Sequence, residues 1–264
     1  MKLTAVGTSG SMSGPDSPAS CYLIQADGDD GAGGTRQWSI VIDLGSGSFG
    51  ALLRYIDPAL VDAVVLSHLH ADHVVDVTGL EVYRRFNPNG ALGPMRLLGP
   101  QGTRERIAEL TMAHDAAEVD ESFAVEPFAA DDTLTVGPLR LTPFEVWHPV
   151  LAYGFRIVGP SELAPGSATL AYTGDTDTCD SLLPLARSAD LLLAEAAFQE
   201  GRDEVRGIHL TGKRAGELAH EASARRLVLT HLPPWTDPQV IRQEARGVYA
   251  GPIDMARPGH TWHL

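Results

Sequence analysis

The segment Ser67–His73, SHLHADH, follows the apolar run Asp62–Leu66 (DAVVL) and constrains the fold of this chain more than any other stretch. A short Val/Leu-rich run of that kind reads as a buried strand. His68, His70, Asp72 and His73 then crowd into the turn that leaves it. Neutral imidazole nitrogen and carboxylate oxygen are the donors that suit zinc and related divalent ions. A loop backbone keeps neither regular period, so four such side chains can be aimed at one point. Incidental histidines in a polar loop would not place three of the chain's ten in one hexapeptide. The remaining strands and turns are therefore read for what they could add to a metal-binding turn.

Alternating strands and helices run through the whole chain. KLTAV (2–6) is a short strand that breaks into residues 7–20, a Gly/Ser/Pro-rich loop. That loop could be an anion-binding nest of backbone N–H groups or a plain surface connection. CYLIQ (21–25) and WSIVIDLG (38–45) read as paired strands, with Asp27–Arg36 as a flexible hairpin tip. Asp43 at the second strand's end is either an ordinary cap or a carboxylate orienting a metal-bound histidine. Helices are expected at Phe49–Ile56, Asp76–Phe86, Thr103–Met112 and Leu182–Arg187, after Leu210-Thr211 through Glu221, and at Asp237–Arg246. Strands are expected at 95–100, 122–128, 133–136, 139–146 and 191–196, with a last one near Ile253.

Other polar residues fall where strands stop. His148 follows the strand at 139–146, Asp175 follows ATLAY, and His231 ends RLVLTH. Taken alone, His148 is better explained as a satisfied core residue. Asp177 and Asp180 suit the N-terminus of the next helix. Glu195 fits a partner of a metal-bound histidine and a solvated strand end equally well. His114 reads as a surface or capping residue, and His220, His260 and His263 as residues with no part in a site.

Composition removes several classes of function. A chain of 264 residues supports one large core or two small domains. Its 44% hydrophobic and 20% charged content is that of an ordinary globular protein. No apolar run is long enough to span a membrane, and the N-terminus lacks the apolar segment of a signal peptide. Two cysteines are too few for a disulfide framework, so a cytoplasmic enzyme is the simplest expectation. A net charge of −14 disfavours a general polyanion-binding surface.

His-x-His-x-Asp-His after a hydrophobic strand resembles the signature of the metallo-β-lactamase superfamily. The resemblance covers nearly the entire chain. It implies a single domain over residues 1–264 with an αββα sandwich, two mixed β-sheets flanked by helices. It also implies two divalent ions per chain, zinc first and manganese as the alternative. One ion would be held by His68, His70 and His148, the other by Asp72, His73 and His231, with Asp175 bridging them. In such a site a water between the ions loses its proton near neutral pH and attacks the substrate. No Ser or Cys nucleophile with a positioned base is visible, so covalent catalysis is not expected.

The lactamase branch uses a cysteine ligand, whereas Asp175 stands here, which is similar to the phosphodiester-cleaving branch. His209, between Asp175 and His231, resembles the additional histidine of the ribonuclease Z group, where it stabilises the transition state or protonates the leaving oxygen. The resemblance thus makes His209 and Asp72 the catalytic candidates. Ribonuclease Z carries a long tRNA-binding arm between the third-motif histidine and the bridging aspartate. Here one strand, a short Gly/Pro turn and another strand fill the interval from His148 to Asp175. That argues against structured RNA. GTSGSMSGPDSPASCYLI, LSHLHADH, EVYRRFNP, AYTGDTDTCDSL and LTHLPPW together resemble the actinobacterial cyclic-nucleotide phosphodiesterases related to ribonuclease Z. A small phosphodiester, cyclic AMP first, is the substrate this implies, and a homodimer is compatible with it. The alternatives are a tRNA 3′-processing endonuclease and, from another class, a non-catalytic metal-binding scaffold. The latter has no support in the residues, because every ligand position is occupied by a competent donor.

Overall fold

A computed structural model describes residues 1–115 and 117–264 and places fourteen strands in two seven-stranded sheets. The first sheet holds β1 (Lys2–Gly7), β2 (Cys21–Asp29), β3 (Thr35–Ile42), β4 (Ala63–Val65), β5 (Met95–Gly99), β6 (Phe123–Pro127) and β14 (Thr261–His263). The second holds β7 (Leu134–Val136), β8 (Leu139–Glu145), β9 (Tyr153–Pro160), β10 (Ser167–Tyr172), β11 (Leu191–Glu195), β12 (Leu227–Thr230) and β13 (Ile253–Met255). Their orders are β14-β1-β2-β3-β4-β5-β6 and β13-β12-β11-β10-β9-β8-β7. Each sheet has antiparallel pairing in its chain-terminal or hairpin half and parallel pairing from β3 to β6 or from β10 to β13. Two halves without visible sequence repetition thus share one pairing plan.

The strands are apolar on both faces because both faces are covered. Tyr22, Ile24, Ile40, Ile42, Phe155, Ile157, Leu170 and Leu193 meet between the sheets. Their alternating neighbours Leu23, Val41, Val64 and Leu97 pack outward. Against those lie α1 (Ser48–Leu52), α3 (Val77–Arg85) and α4 (Thr103–Thr111), reached after α2 (Ala71–Val74). The second sheet is covered by α5 (Leu182–Ala186), α6 (Gly212–Glu221) and α7 (Pro238–Arg246) through Leu185, Ala215, Leu218, Ile241 and Ala245. Each fully buried Leu, Ile or Phe contributes about 1.5–3 kcal/mol relative to exposure, which makes this double layer the main stabilising term. Caps set the helix starts: the Asp237 carboxylate accepts from Gln239 N before Pro238, and Thr211 Oγ1 accepts from Arg214 N. The expected αββα sandwich of two mixed sheets is the observed architecture.

Several boundaries differ from those expected. β3 stops at Ile42, short of Gly45, because Asp43 adopts φ 59°, a left-handed conformation that ends the ladder. α1 ends at Leu52 rather than Ile56, and Asp57 caps a short 3-10 turn at Pro58–Leu60. The hairpin tip is shorter than Asp27–Arg36, since pairing continues to Asp29↔Thr35 and Trp38 Nε1 donates to the Asp29 carbonyl. Asp177 and Asp180 do not cap α5, which starts beyond Ser181. β14 was not expected; it closes the first sheet's edge on β1. Among the described residues no helix is long and apolar enough to cross a membrane.

Candidate metal centre

Every expected donor leaves a strand at the same end of the sandwich. β4 delivers His68, His70, Asp72 and His73, the last two on α2; β8 leads to His148, β10 to Asp175 and β12 to His231. The backbone is tightly shaped there. His231 takes φ 59°, an uncommon conformation for a residue with a side chain that costs about 1–3 kcal/mol. A Cβ on Gly10 would lie 2.2 Å from the His231 carbonyl oxygen, and one on Gly45 only 1.8 Å from that of Asp72. Neither position tolerates a side chain. Close packing is thus one role of the small residues in loop 7–20. They let the loop press against His231, and N–H groups of Thr8, Ser9, Met12 and Gly14 are already taken by carbonyls within the loop.

Two donor clusters result. In one, the His70 Nδ1 atom lies 3.1 Å from His68 Nε2 and 3.1 Å from His148 Nε2. In the other, Asp175 Oδ2 stands 3.2 Å from His73 Nε2 and 3.0 Å from His231 Nε2, with Asp72 Oδ2 at 3.5 and 3.7 Å from the same nitrogens. Within each cluster the donor atoms all lie within 4.8 Å of one another. Asp175 Oδ2 is also 3.9 Å from His68 Nε2, so this carboxylate stands between the two clusters. His68, His73, Asp175 and His231 are buried; His70, Asp72 and His148 are partly open to solvent.

Unmet hydrogen-bonding capacity shows that the arrangement fits cations. His73 Nε2, His231 Nε2 and Asp175 Oδ1 are buried with no hydrogen-bond partner. Each such group costs about 1–3 kcal/mol if left so, a penalty that a coordinated ion removes. Electrostatics separate the clusters. Burial, with neighbouring imidazoles, pushes the His68, His70 and His148 protonation equilibria down, which keeps these rings neutral. Burial pulls His73 the same way, but the carboxylates of Asp175 and Asp43 outweigh it and raise its pKa. Burial likewise opposes ionisation of Asp175, yet His231 and His73 hold its carboxyl well below the usual range.

The far nitrogens of the rings are braced. Asp43 accepts from His73 Nδ1 at 2.8 Å, Ser20 Oγ lies 2.9 Å from His231 Nδ1, and the Ile208 carbonyl accepts from His148 Nδ1 at 2.9 Å. A proton fixed on Nδ1 leaves Nε2 with its lone pair directed into the site. Of the two roles open for Asp43, the structure therefore shows the orienting one. Ser20 and Ile208 carry no sequence signal, since a serine in a Gly/Ser loop and a backbone carbonyl have none.

His209 stands on the wall of the same cleft. Its ring centroid is 5.6 Å from that of His148 and 5.4 Å from that of His231, and it packs on Phe198. Its Nδ1 lies 2.9 Å from Glu195 Oε1. Glu195 is fully buried and also accepts from the N–H groups of Thr176 and Ala197, so it is no solvated strand end. Burial disfavours the His209 imidazolium, but the adjacent Glu195 carboxylate prevails and raises the pKa to about 9. His114, His220, His260 and His263 are exposed and lie outside the two donor clusters. Asp177, expected at a helix start, is instead buried and paired with Arg206 and Arg214.

Comparison with known proteins agrees with this geometry. Residues 39–232 match the family described as Beta-lactamase superfamily domain. An uncharacterised protein of Mycobacterium tuberculosis is 41% identical over 256 residues, 96% of this chain and 88% of its own length. The metallo-hydrolase YhfI of Bacillus subtilis is 32% identical, with 99% of each chain covered. Its crystal structure superposes with a TM-score of 0.83 over 100% of this chain and 99% of that one, at 30% identity. Ribonuclease Z of Myxococcus xanthus is 29% identical over 85% of this chain and 88% of its own.

Proposed function

The chain belongs to the beta-lactamase superfamily, among its ribonuclease Z-like metallo-hydrolases, and from that premise we propose that it is a dinuclear metal-dependent phosphodiesterase acting on 3′,5′-cyclic nucleotides, cyclic AMP first. The observation that carries this reading is the position of Asp175 Oδ2, within 3.9 Å of His68 Nε2 and closer still to His73 and His231. One carboxylate placed between two imidazole clusters is what a pair of shared cations needs. His68, His70 and His148 would hold one ion, and Asp72, His73 and His231 the other, with Asp175 common to both. All-nitrogen and oxygen donors suit zinc, and manganese as the alternative. Such ions supply a water acidified toward neutral pH and offset the charge on the phosphate oxygens.

The chain's own residues do the rest. Asp43, Ser20 and the Ile208 carbonyl hold the rings of His73, His231 and His148 with Nε2 inward. Water adds to phosphorus with release of a proton, the bond from phosphorus to the ribose 3′-oxygen breaks, and His209 gives that oxygen a proton, which the one released by the water replaces. Glu195, on His209 Nδ1, orients the ring and favours the protonated form that this step needs. The sum is cyclic AMP plus water giving 5′-AMP.

Support for a small substrate comes from the interval between His148 and Asp175. It holds β9 and β10, antiparallel from Tyr172↔Phe155 to Ser167↔Pro160, and the short turn between them. No projecting arm leaves this hairpin, and the chain carries a net charge of −14. Rates measured side by side on cyclic AMP, cyclic GMP, bis(p-nitrophenyl) phosphate and a 3′-extended tRNA test the reading. Cyclic nucleotides should be cleaved far faster than tRNA. Efficient tRNA cleavage at physiological salt would reverse the choice in favour of a processing endonuclease. His209→Ala should keep its metals and lose about 10²–10⁴ in kcat on cyclic AMP, as expected for general-acid help. The loss should be smaller on the p-nitrophenyl ester, whose leaving oxygen needs no proton.

A further inference from the structure

Asp177 lies two residues beyond Asp175 on the same turn, and its fully buried carboxylate engages a different part of the chain. Oδ1 accepts from Thr178 N at 2.7 Å, Arg206 Nη2 at 3.1 Å and Arg214 Nη1 at 3.1 Å. Oδ2 accepts from Gly207 N at 2.8 Å and from Arg206 Nε. The Arg206 side chain is half exposed, so a surface guanidinium has been drawn in a two-pronged grip onto a buried acid. Gly207 takes φ +79° and lies flush with the Trp147 indole, where a Cβ would come within 2.9 Å of the ring.

The next two residues are those the cleft uses. The Ile208 carbonyl holds His148 Nδ1, and His209 follows. The turn grips this wall from its other side too, because Thr176 N donates to Glu195 Oε1, the oxygen that meets His209 Nδ1. Asp177 N donates to the Trp147 carbonyl, which ties the turn to the residue before His148. Three consecutive residues thus have three tasks. Asp175 enters the donor clusters, Thr176 secures the partner of His209, and Asp177 secures the segment that carries His209.

We propose that Asp177, through Arg206 and Gly207, is a positioning residue that sets where Ile208 orients His148 and where His209 meets the substrate. This rests on the reading of His209 as the group serving the leaving oxygen. Asp177→Asn and Arg206→Ala, made in the zinc-loaded protein, should retain metal. Both should lower kcat on cyclic AMP about ten- to a hundred-fold, as small misplacements of reacting groups do, with KM little changed.

A merely structural clamp would slow the enzyme independently of His209. The proposal instead predicts that Asp177→Asn costs clearly less in the His209→Ala background than in the wild type, the remainder being the part that acts through His148. Losses that multiply in the double variant, or a wild-type rate in Asp177→Asn, overturn it. If Asp177→Asn does not fold, Arg206→Ala carries the same cycle, since its side chain is half exposed. Long-range ¹⁵N–¹H spectra of the imidazoles give a readout without turnover. The His148 and His209 signals should shift in either variant while those of His73 stay, and unmoved His148 and His209 signals refute the proposal. If the wild type cleaves no phosphodiester, the functional reading falls and these spectra still decide the role of Asp177.

Discussion

The two donor clusters differ in what holds them before any ion arrives. His68, His70 and His148 form an open cluster of three imidazoles without a carboxylate of its own, and two of its rings reach solvent. Asp72, His73, Asp175 and His231 form a closed one, with three buried members and two carboxylates. His73 and His231 are each braced by a buried side chain, Asp43 or Ser20, whereas His148 is braced by the carbonyl of a loop. Among these neutral rings a single proton on His70 Nδ1 has two neighbouring Nε2 atoms at 3.1 Å to serve, and the cluster contains no carboxylate to meet the charge of an ion. In the closed cluster the carboxylates of Asp72 and Asp175 already stand ready to meet the charge of a cation. The closed cluster is therefore preorganised and should bind its ion more tightly, and the open one should lose its ion first under a chelator.

Asp175→Ala should break this contrast with the largest effect. It removes the carboxylate that stands between the clusters and leaves Asp72 as the one carboxylate near His73 and His231. Metal content should fall from about two ions per chain toward none, with loss of turnover. Elemental analysis returning full occupancy with a full rate would show that the clusters do not share this residue.

A smaller effect separates the clusters rather than joining them. Asp43 is fully buried and accepts from Ser67 N, Ser67 Oγ, Tyr172 Oη and His73 Nδ1 at 2.7–2.9 Å. Asp43→Asn removes the charge that fixes the His73 ring while keeping the volume. Removal of such an orienting partner typically costs about 10–100-fold in metal affinity. The loss should fall on the ion of the closed cluster, which stepwise zinc titration against a competing chelator resolves. Equal weakening of both ions would mean that Asp43 supports the whole cleft and not one ring.

The contiguous part of this site was legible and the dispersed part was not, for physical reasons. SHLHADH is readable because four donors on one turn have no comparable structural use. His148, Asp175 and His231 are single residues at strand ends, and only the family resemblance distinguished them from satisfied core groups. Asp43 and Glu195 stayed ambiguous because a strand-end carboxylate serves equally as a cap or as a partner, and only the fold supplies the histidine. Asp177 was misassigned to a helix start because its partners, Arg206, Gly207 and Arg214, come from a segment far along the chain. The layer order followed from the family resemblance, with which the alternation of strands and helices agrees. The early ends of β3 and α1 did not, since they depend on the left-handed turn at Asp43 and on the capping of a short turn by Asp57.

The finest test of the contrast is the other brace of the closed cluster. Ser20 Oγ meets His231 Nδ1 at 2.9 Å in a fully buried position, as Asp43 meets His73, but without a charge. Neutral hydrogen bonds contribute about 0.5–1.5 kcal/mol net, and those to charged groups about 1.5–3 kcal/mol. The His231 backbone would hold its place in Ser20→Ala, because Leu232 N still donates to the Thr8 carbonyl and Gly10 still packs against the His231 carbonyl. Only the ring's rotation and the siting of its Nδ1 proton are loosened. Ser20→Ala should therefore weaken the closed-cluster ion only about two- to ten-fold, the range that 0.5–1.5 kcal/mol represents, and less than Asp43→Asn does. The same zinc titration measures both. If Ser20→Ala matched Asp43→Asn, the charge of the brace would be irrelevant, and burial alone would account for the difference between the two clusters.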